Sequence, residues 1–386
     1  MAAYILRRLA LIPITLLGIL ALNFAIIQFA PGGPIEQIIA ELDNQGDVNE
    51  RLRTSGDPGA QTQQQVGGDS SYRGSQGLDP VYLARLEVEF NFARIVCADG
   101  YEGPRTVAAE ECVKEPIPLA ERFLLMLIDY ATFDLGESFF QSEKVTTLVF
   151  DKLPVSISLG LWSTLLSYLV SIPLGITKAV RDGSPFDAVT SAVVIAAYAI
   201  PGFLFAVILL VLFAGESFLP LFPLRGLTSD NFDELSLGGQ ILDYFWHIAL
   251  PVTAMTISGF AVLTLLTKNS FLDEIRKQYV MTARAKGLSE RRVLYGHVFR
   301  NAMLIVIAGF PGAFLSIFFS ASVFVETVFS LDGLGLLGFE AVLKRDYPIV
   351  FGTLFMFGLL GLVIKLIGDL TYVLVDPRID FERREG

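Results

Sequence analysis

The sequence has few of the side chains that catalytic and metal sites use. It contains only two cysteines and two histidines among 386 residues. His247 and His297 have no other potential ligands near them in the sequence, and neither cysteine has a histidine nearby, so no metal centre is predicted. No pattern of residues indicates a catalytic site, and the chain is not expected to be an enzyme.

A phosphate-binding loop for ATP is also missing. The pattern G-x-x-x-x-G-K-[ST] needs a lysine directly after a glycine, and no lysine of this chain follows one. The chain therefore carries no ATPase of that type, and we expect it to bind no cofactor itself. Any ATP-driven step would need a separate subunit.

Charge is scarce, since 18% of the residues are charged whereas 53% are hydrophobic and the mean hydropathy is +0.55. The apolar residues form runs of about 20 or more, long enough to cross about 30 Å of hydrocarbon. The six runs are Leu9–Ala30, Leu153–Thr177, Ala188–Ala214, Trp246–Thr267, Met303–Val325 and Ile349–Val375. They predict an all-α, polytopic membrane protein with six transmembrane helices. The first run is too long for a signal peptide and lacks a small-residue cleavage pattern, so we expect a retained anchor.

The distribution of lysine and arginine predicts the topology. An excess of these residues marks cytoplasmic loops. The basic residues that fall on one side are Arg7, Arg8, Lys178, Arg181, those of the Ser270–Arg300 loop, Arg383 and Arg384. Both termini are therefore predicted to be cytoplasmic. The net charge of −11 arises in residues 31–150, which hold 20 acidic and nine basic residues. Because this acidity belongs to one exported segment, no nucleic-acid partner is inferred from the charge.

The chain divides into four predicted parts. They are residues 1–30, the N-terminus with the first helix; 31–152, a large periplasmic insertion; 153–375, a five-helix transmembrane core; and 376–386, a cytoplasmic tail. Within the insertion, Thr54–Gly77 is rich in Gly, Gln and Ser and is predicted to be a mobile loop. An oxidising compartment would favour a disulfide between Cys97 and Cys112, with two free thiols as the alternative.

The polar segment between the fourth and fifth runs has a distinctive pattern. Together with Lys268, residues 270–300 hold eight Lys or Arg against three Asp or Glu. Ser270 and Asp273 predict the start of a helix, and Gly287 permits the turn that ends it. A second short helix is expected at Ser289–His297. A basic helix–Gly–helix loop is a surface for docking a partner; the alternative is a solvated loop that only reflects topology.

This loop resembles the coupling loop of ABC importer permeases of the dipeptide/oligopeptide family. The resemblance rests on Thr282–Gly287 (TARAKG) and on His297–Asn301. Further matches, in order along the chain, are Arg7-Arg8, Pro31–Pro34, Leu78–Pro80, Asp134–Gly136 with Ser138, Ile172–Ile176, Glu326 with Phe329, Gly333–Gly335, Arg345–Pro348, Asp369, Tyr372 and Asp376–Arg378. The long insert with Tyr72–Gly74 is similar to the YejB-type branch, associated with oligopeptide and microcin C uptake. Asp332 departs from the family, where a proline is usual, and Arg94–Lys114 has no counterpart.

The resemblance implies the type I ABC importer permease fold in a bacterial inner membrane. It implies a second homologous permease, ABC ATPase subunits whose two nucleotide-binding domains bind ATP and Mg, a periplasmic peptide-binding protein and membrane lipid as partners. It also implies that the ATPase contacts these residues of the coupling loop: Tyr279, Thr282, Ala283, Arg284, Ala285, Lys286, Gly287, Ser289 and Glu290.

Four prolines lie inside the apolar runs and are candidate hinges for alternating access, with static packing as the alternative. They are Pro173, Pro201, Pro251 and Pro311. Lys365 and Asp369 lie four residues apart in the last run and are expected to form an ion pair. No chain of buried carboxylates or histidines indicates a proton relay, although an ion- or proton-coupled secondary carrier remains the alternative function.

Overall fold

The computed structural model describes residues 2–29, 80–89, 92–98, 112–215 and 218–375. The predicted mobile loop at 54–77 and the predicted C-terminal tail at 376–386 lie outside these ranges, as do the motifs Pro31–Pro34 and Tyr72–Gly74.

Helices account for most of the described residues. They are α1 Ala2–Phe29, α2 Pro80–Glu89, α3 Leu119–Ala131, α4 Val145–Val180, α5 Pro185–Ala199, α6 Gly202–Phe213, α7 Leu237–Ile275, α8 Gln278–Ala285, α9 Glu290–Val293, α10 Phe299–Ala308, α11 Phe310–Val328, α12 Leu334–Lys344 and α13 Tyr347–Val375. A wide π-helical turn, Leu294–Val298, joins α9 to α10.

Four helical stretches are long and apolar enough to cross a membrane: Ile5–Ala25, Val145–Val180, Glu290–Phe319 and Tyr347–Leu374. Two further spans are bent. α5 and α6 meet at 94°, and α7 bends by 56° between Ile257 and Gly259. Counting each bent pair once gives up to six spans, and the prediction of a polytopic, mainly helical membrane protein is confirmed.

One small β element departs from the all-α prediction. Strands β1, Ala93–Cys97, and β2, Cys112–Pro116, pair antiparallel, with Cys97 opposite Cys112 at the end of the ladder. A disulfide joins these two cysteines. Arg94 on β1 donates to Glu115 on β2 at 3.1 Å and to Glu121 on α3 at 2.7 Å. The disulfide therefore closes a hairpin. A surface ion pair between Arg94 and Glu121 attaches this hairpin to α3.

The chain forms two compact units. The first comprises Met1–Pro13, Val149–Phe339 and Met356–Gly386, and the second comprises Ile14–Leu148 and Glu340–Phe355. In the second unit, two motifs that are distant in the sequence meet. The buried Asp346 carboxylate accepts hydrogen bonds from the Ser138 hydroxyl at 2.5 Å and the Phe139 amide at 3.3 Å. Tyr130 packs edge-on against Phe355 nearby.

The core of the first unit lies between α4, α6, α7 and α11. Its buried members include Leu159, Ala206, Met255 and Ile317. α4 and α7 are in close contact at Gly175, where a Cβ would overlap Thr267 and the Thr264 carbonyl. A small residue is therefore required there for the two helices to pack at this distance.

Glu326, at the end of α11, is fully buried and organises the turn into α12. Its carboxylate accepts the Ser156 hydroxyl at 2.6 Å and the Leu336 amide at 2.8 Å. The Ser156 hydroxyl in turn accepts the Leu334 amide at 2.8 Å. A carboxylate at the first turn of a helix satisfies free N–H groups and interacts favourably with the helix dipole. Position 333 has no room for a side chain, because a Cβ there would collide with this carboxylate.

We predict that Gly333→Ala lowers the free energy of unfolding by about 1–3 kcal/mol, because the methyl group must displace a buried, hydrogen-bonded carboxylate. The measurement is the thermal unfolding midpoint of the purified protein in detergent. Gly238→Ala is the matched control, since a Cβ at that helical position meets nothing within 4 Å. Equal midpoints for the two variants would contradict the role given to Gly333.

A second prediction concerns the hairpin. Closing a 15-residue separation by a disulfide contributes about 3 kcal/mol in the chain-entropy model. Reduction should therefore accelerate amide hydrogen exchange in β1 and β2 by roughly a hundredfold. The double variant Cys97→Ser/Cys112→Ser should exchange at the reduced rate with or without reductant. Strand protection that survives reduction would show that the cross-link contributes little.

Candidate functional site

The coupling segment, residues 276–300, begins differently from the prediction. Ser270 and Asp273 lie inside α7, which continues to Ile275, so the predicted helix start is wrong. Instead of capping a helix, the Ser270 hydroxyl donates to the Ala302 carbonyl on α10 at 2.6 Å. A serine within a span can satisfy its hydroxyl on a neighbouring helix, and a cap pattern alone does not reveal this. The first coupling helix, α8, begins at Gln278 after Lys277.

The junction between α7 and α8 is held by one carboxylate. Glu274, in the last turn of α7, accepts the Tyr279 hydroxyl at 2.6 Å and forms an ion pair with Lys277. Burial raises the pKa of the Tyr279 hydroxyl, and its donation to Glu274 raises that pKa further. The first turn of α8 is therefore tied directly to the end of α7.

The turn after α8 uses a left-handed residue. Gly287 has a φ of +80°, a conformation that costs other residues about 1–2 kcal/mol. Around it, the Gly287 amide bonds the Arg284 carbonyl at 2.9 Å, and the Leu288 amide reaches the Ala283 carbonyl at 3.4 Å. This turn reverses the chain between α8 and α9.

The second coupling helix is not a separate element, which corrects the prediction for Ser289–His297. α9 continues through the π-helical turn into α10, so residues 290–308 form one helical stretch. Ser289 occupies the cap position but makes no side-chain cap bond. π-helical turns are common at functional sites, and this one lies where the coupling segment enters a membrane span.

The coupling segment has a buried face and an exposed face. Val280, Ala283, Val293 and Val298 are buried in a cluster with residues of α4, α7 and α10. Arg284 and Glu290 pair across the turn at 3.0 Å, which links α8 to α9. What we call the coupling surface consists of exposed side chains of α8, Met281, Thr282 and Ala285, together with Lys286, which directly follows the helix.

Met281 was missed by the sequence analysis although its side chain is 64% exposed, an unusual position for methionine in a polar loop. The helical spacing of buried Val280 and Ala283 would have placed Met281 on the opposite face. A groove of about 250 Å³ lies beside this surface, lined by residues that include Val180, Ile275, Arg291 and Tyr295.

A buried charge network behind the coupling segment was also missed. Lys178 counted as a loop residue in the topology argument, yet it is fully buried. It contacts Asp187 at 3.0 Å, and Lys268 contacts the same carboxylate at 2.7 Å and Asp182 at 3.0 Å. The three helices α4, α5 and α7 meet at this carboxylate.

The other predicted residues are placed as follows. Asp369 was expected to pair with Lys365. Instead, its carboxylate forms an ion pair with Arg8 at 3.0 Å. Pro201 lies at the 94° bend between α5 and α6, and Pro311 lies in the first turn of α11. Pro173 and Pro251 lie within α4 and α7.

Among the described residues, no three or more His, Cys, Asp or Glu form a group that could hold a metal ion. The part of the site with defined chemistry is therefore a supported helix surface and the charges behind it.

The chain is 57% identical to the peptidoglycan transport system permease protein YejB of Agrobacterium fabrum over 386 residues, which cover all of both chains. It is 54% identical to the inner membrane ABC transporter permease protein YejB of Escherichia coli O157:H7 over 388 residues, again covering both chains fully. The oligopeptide transport system permease protein AppB of Bacillus subtilis is 31% identical over 384 residues, 99% of this chain and all of that one.

A family model also matches residues 171–381, which contain the coupling segment and the spans on both sides of it. This match covers more than half of the chain, and the relatives above cover its whole length. The chain therefore belongs to the family of binding-protein-dependent transport system inner membrane components, as a YejB-type ABC transporter permease.

Proposed function

We propose that this permease carries peptides from the periplasm to the cytoplasm by alternating access, with ATP hydrolysed by a partner subunit. Its family comprises multi-pass inner-membrane components of ABC importers, which have no catalytic activity themselves and work with ATPase and substrate-binding partners. The observation that carries the proposal is the coupling surface, an exposed apolar and basic helix face on a buried apolar support.

The coupling surface is suited to receive force. α8 is short, its buried face packs into the cluster around Phe271 and Met303, and both of its ends are bonded to neighbouring helices. A helix held in this way moves with its support instead of deforming. In the proposed cycle, ATP and Mg bind to the partner ATPase, whose closure displaces α8 and with it α7 and α10.

The coupling surface also has the chemistry of a protein interface. Met281 supplies an apolar anchor, and the coupling segment also carries exposed basic residues, including Arg276, Lys286, Arg291 and Arg292. Apolar anchors with a charged rim are typical of protein–protein contacts. We propose a groove with acidic edges on the ATPase as the complementary surface.

The remaining partners follow from the same cycle. A second homologous permease would complete the pathway, and a periplasmic peptide-binding protein would deliver substrate to the acidic exported segment. In this arrangement both termini lie in the cytoplasm. Pro201 is the candidate hinge best supported by geometry, since it lies at the 94° bend between α5 and α6.

The substrate class is proposed to be oligopeptides, consistent with the name of the AppB relative. The name of the Agrobacterium relative favours a second candidate, material derived from peptidoglycan. Both candidates can be tested in one assay, because a labelled oligopeptide and a peptidoglycan fragment would compete for the same importer.

The proposed function is tested by reconstituting the permease with its genomic neighbours in proteoliposomes. We expect uptake of labelled oligopeptide that needs ATP and the binding protein and is inhibited by vanadate. Uptake that continues without ATP and follows an imposed ion gradient would instead support a secondary carrier.

A third prediction addresses the coupling surface. Met281→Asp should weaken binding of the ATPase subunit by about 10- to 100-fold, because it replaces an exposed apolar anchor by a charge. The affinity is measured by titrating the ATPase onto the permease in nanodiscs. Met281→Leu is the matched control and should bind as the wild type does, because it keeps an apolar side chain of similar volume. Wild-type affinity in Met281→Asp would remove this residue from the interface.

A further inference from the structure

Two lysines from different helices converge on Asp187 at the start of α5. Lys178 near the end of α4 reaches one carboxylate oxygen at 3.0 Å, and Lys268 near the end of α7 reaches the other at 2.7 Å. The side chain of Lys178 is fully buried, and those of Asp187 and Lys268 are 9% and 13% exposed. The two oxygens of this carboxylate are thus paired with lysines from two different helices.

The network is built around α5. Besides its ion pair, the Lys178 ammonium donates to the Asp187 carbonyl and to the hydroxyls of Thr190 and Ser191, at 2.7–3.0 Å. Lys268 also contacts Asp182 at 3.0 Å in the turn before α5. Arg276 at the end of α7 contacts the partly exposed Asp182 as well, at 3.7 Å. The buried Lys178 ammonium and Asp187 carboxylate are each paired with an opposite charge, which is the condition under which buried ions are tolerated.

The two lysines are close together because α4 and α7 pack tightly one turn away. Gly175 of α4 lies against Thr267 of α7, and the Ser171 hydroxyl donates to the Phe260 carbonyl at 3.0 Å. Aliphatic lysine side chains can normally extend to solvent. Here Lys178 and Lys268 both point to the carboxylate of Asp187, so ion pairs bond α5 to α4 and to α7.

The network is connected to the coupling surface through the last two turns of α7. Lys268 lies within two turns of Glu274, the carboxylate that holds Tyr279 of α8. α8 therefore moves with the end of α7. α5 has no such bond to α8 or α9 among the contacts of the described residues. Its buried ionic link to α7 runs through Lys268, and the turn before α5 has a longer, exposed contact between Asp182 and Arg276.

We infer that Lys178, Asp187 and Lys268 form a transmission latch, through which displacement of the coupling surface moves α5 together with α4 and α7. These three are positioning residues, and the inference rests on the proposed function. With the latch intact, a displacement of α8 carries the start of the bent α5–α6 span with it. With the latch broken, α7 and α8 move while α5 is left behind, so ATP is hydrolysed without a matching amount of transport.

The test is the ratio of substrate transported to ATP hydrolysed, measured on the complete importer in proteoliposomes. We expect Lys268→Met to lower this ratio about tenfold while the complex assembles and hydrolyses ATP. Lys268→Arg should restore most of the ratio, because it keeps the charge and can reach the same carboxylate.

Lys152→Met is the matched control. It removes the same charge from an ion pair with Asp332 in the same unit, outside the latch. It should keep the wild-type ratio. A wild-type ratio in Lys268→Met, or transport and hydrolysis that fall together in the assembled complex, would overturn the latch. A wild-type importer that transports without ATP would overturn the proposed function and the latch together.

A measurement on the otherwise wild-type chain does not depend on how the variants fold. Spin labels at Val193 on α5 and Val262 on α7, both exposed, report the separation of the two helices. The native cysteines are joined in a disulfide and do not react with the label. The distance distribution should stay the same between the nucleotide-free and ATP-trapped states. A shift of several ångströms between those states would show that α5 and α7 move independently and would overturn the inference.

Discussion

The architecture depends on the requirement that polar groups surrounded by apolar side chains or lipid find their partners within the protein. Threonines in the spans meet it locally by donating to the carbonyl four residues earlier, as Thr164, Thr256 and Thr267 do at 2.7–2.8 Å. Charged residues cannot meet it locally. Glu326 and Asp187 each take partners from other helices, and these contacts join the helices of the first unit to one another.

The same requirement explains why motifs that are far apart in the sequence occur together. Gly333 is needed because the Glu326 carboxylate occupies the space of its side chain, and Ser156 is needed to bond that carboxylate and an amide of α12. In the second unit, Ser138 and Asp346 have a similar relation. Short matches that individually carry little information thus mark the two sides of a single buried contact.

The sequence predicted what depends on composition and local chemistry. Hydropathy gave the spans, because the length of an apolar run is a property of the chain alone. Gly287 as a turn followed from its conformational freedom, and its φ is positive. The helix start at Ser270, the separate helix at Ser289–His297 and the pairing of Lys365 with Asp369 could not be judged locally, since each depends on which helix lies alongside. Lys178 was misinterpreted for the same reason, because a lysine near the end of a span resembles a solvated one until its neighbours are known.

The contact between Arg8 and Asp369 has a consequence for the synthesis of the protein. Both residues belong to the first unit, which contains the start of α1 and the part of α13 from Met356 onward. During translation, α1 reaches the membrane long before α13 leaves the ribosome. The contact therefore cannot form until α13 has left the ribosome, so α1 enters the membrane before this ionic partner exists. A stop codon ahead of Asp369 would remove an ion pair at the opposite end of the gene product.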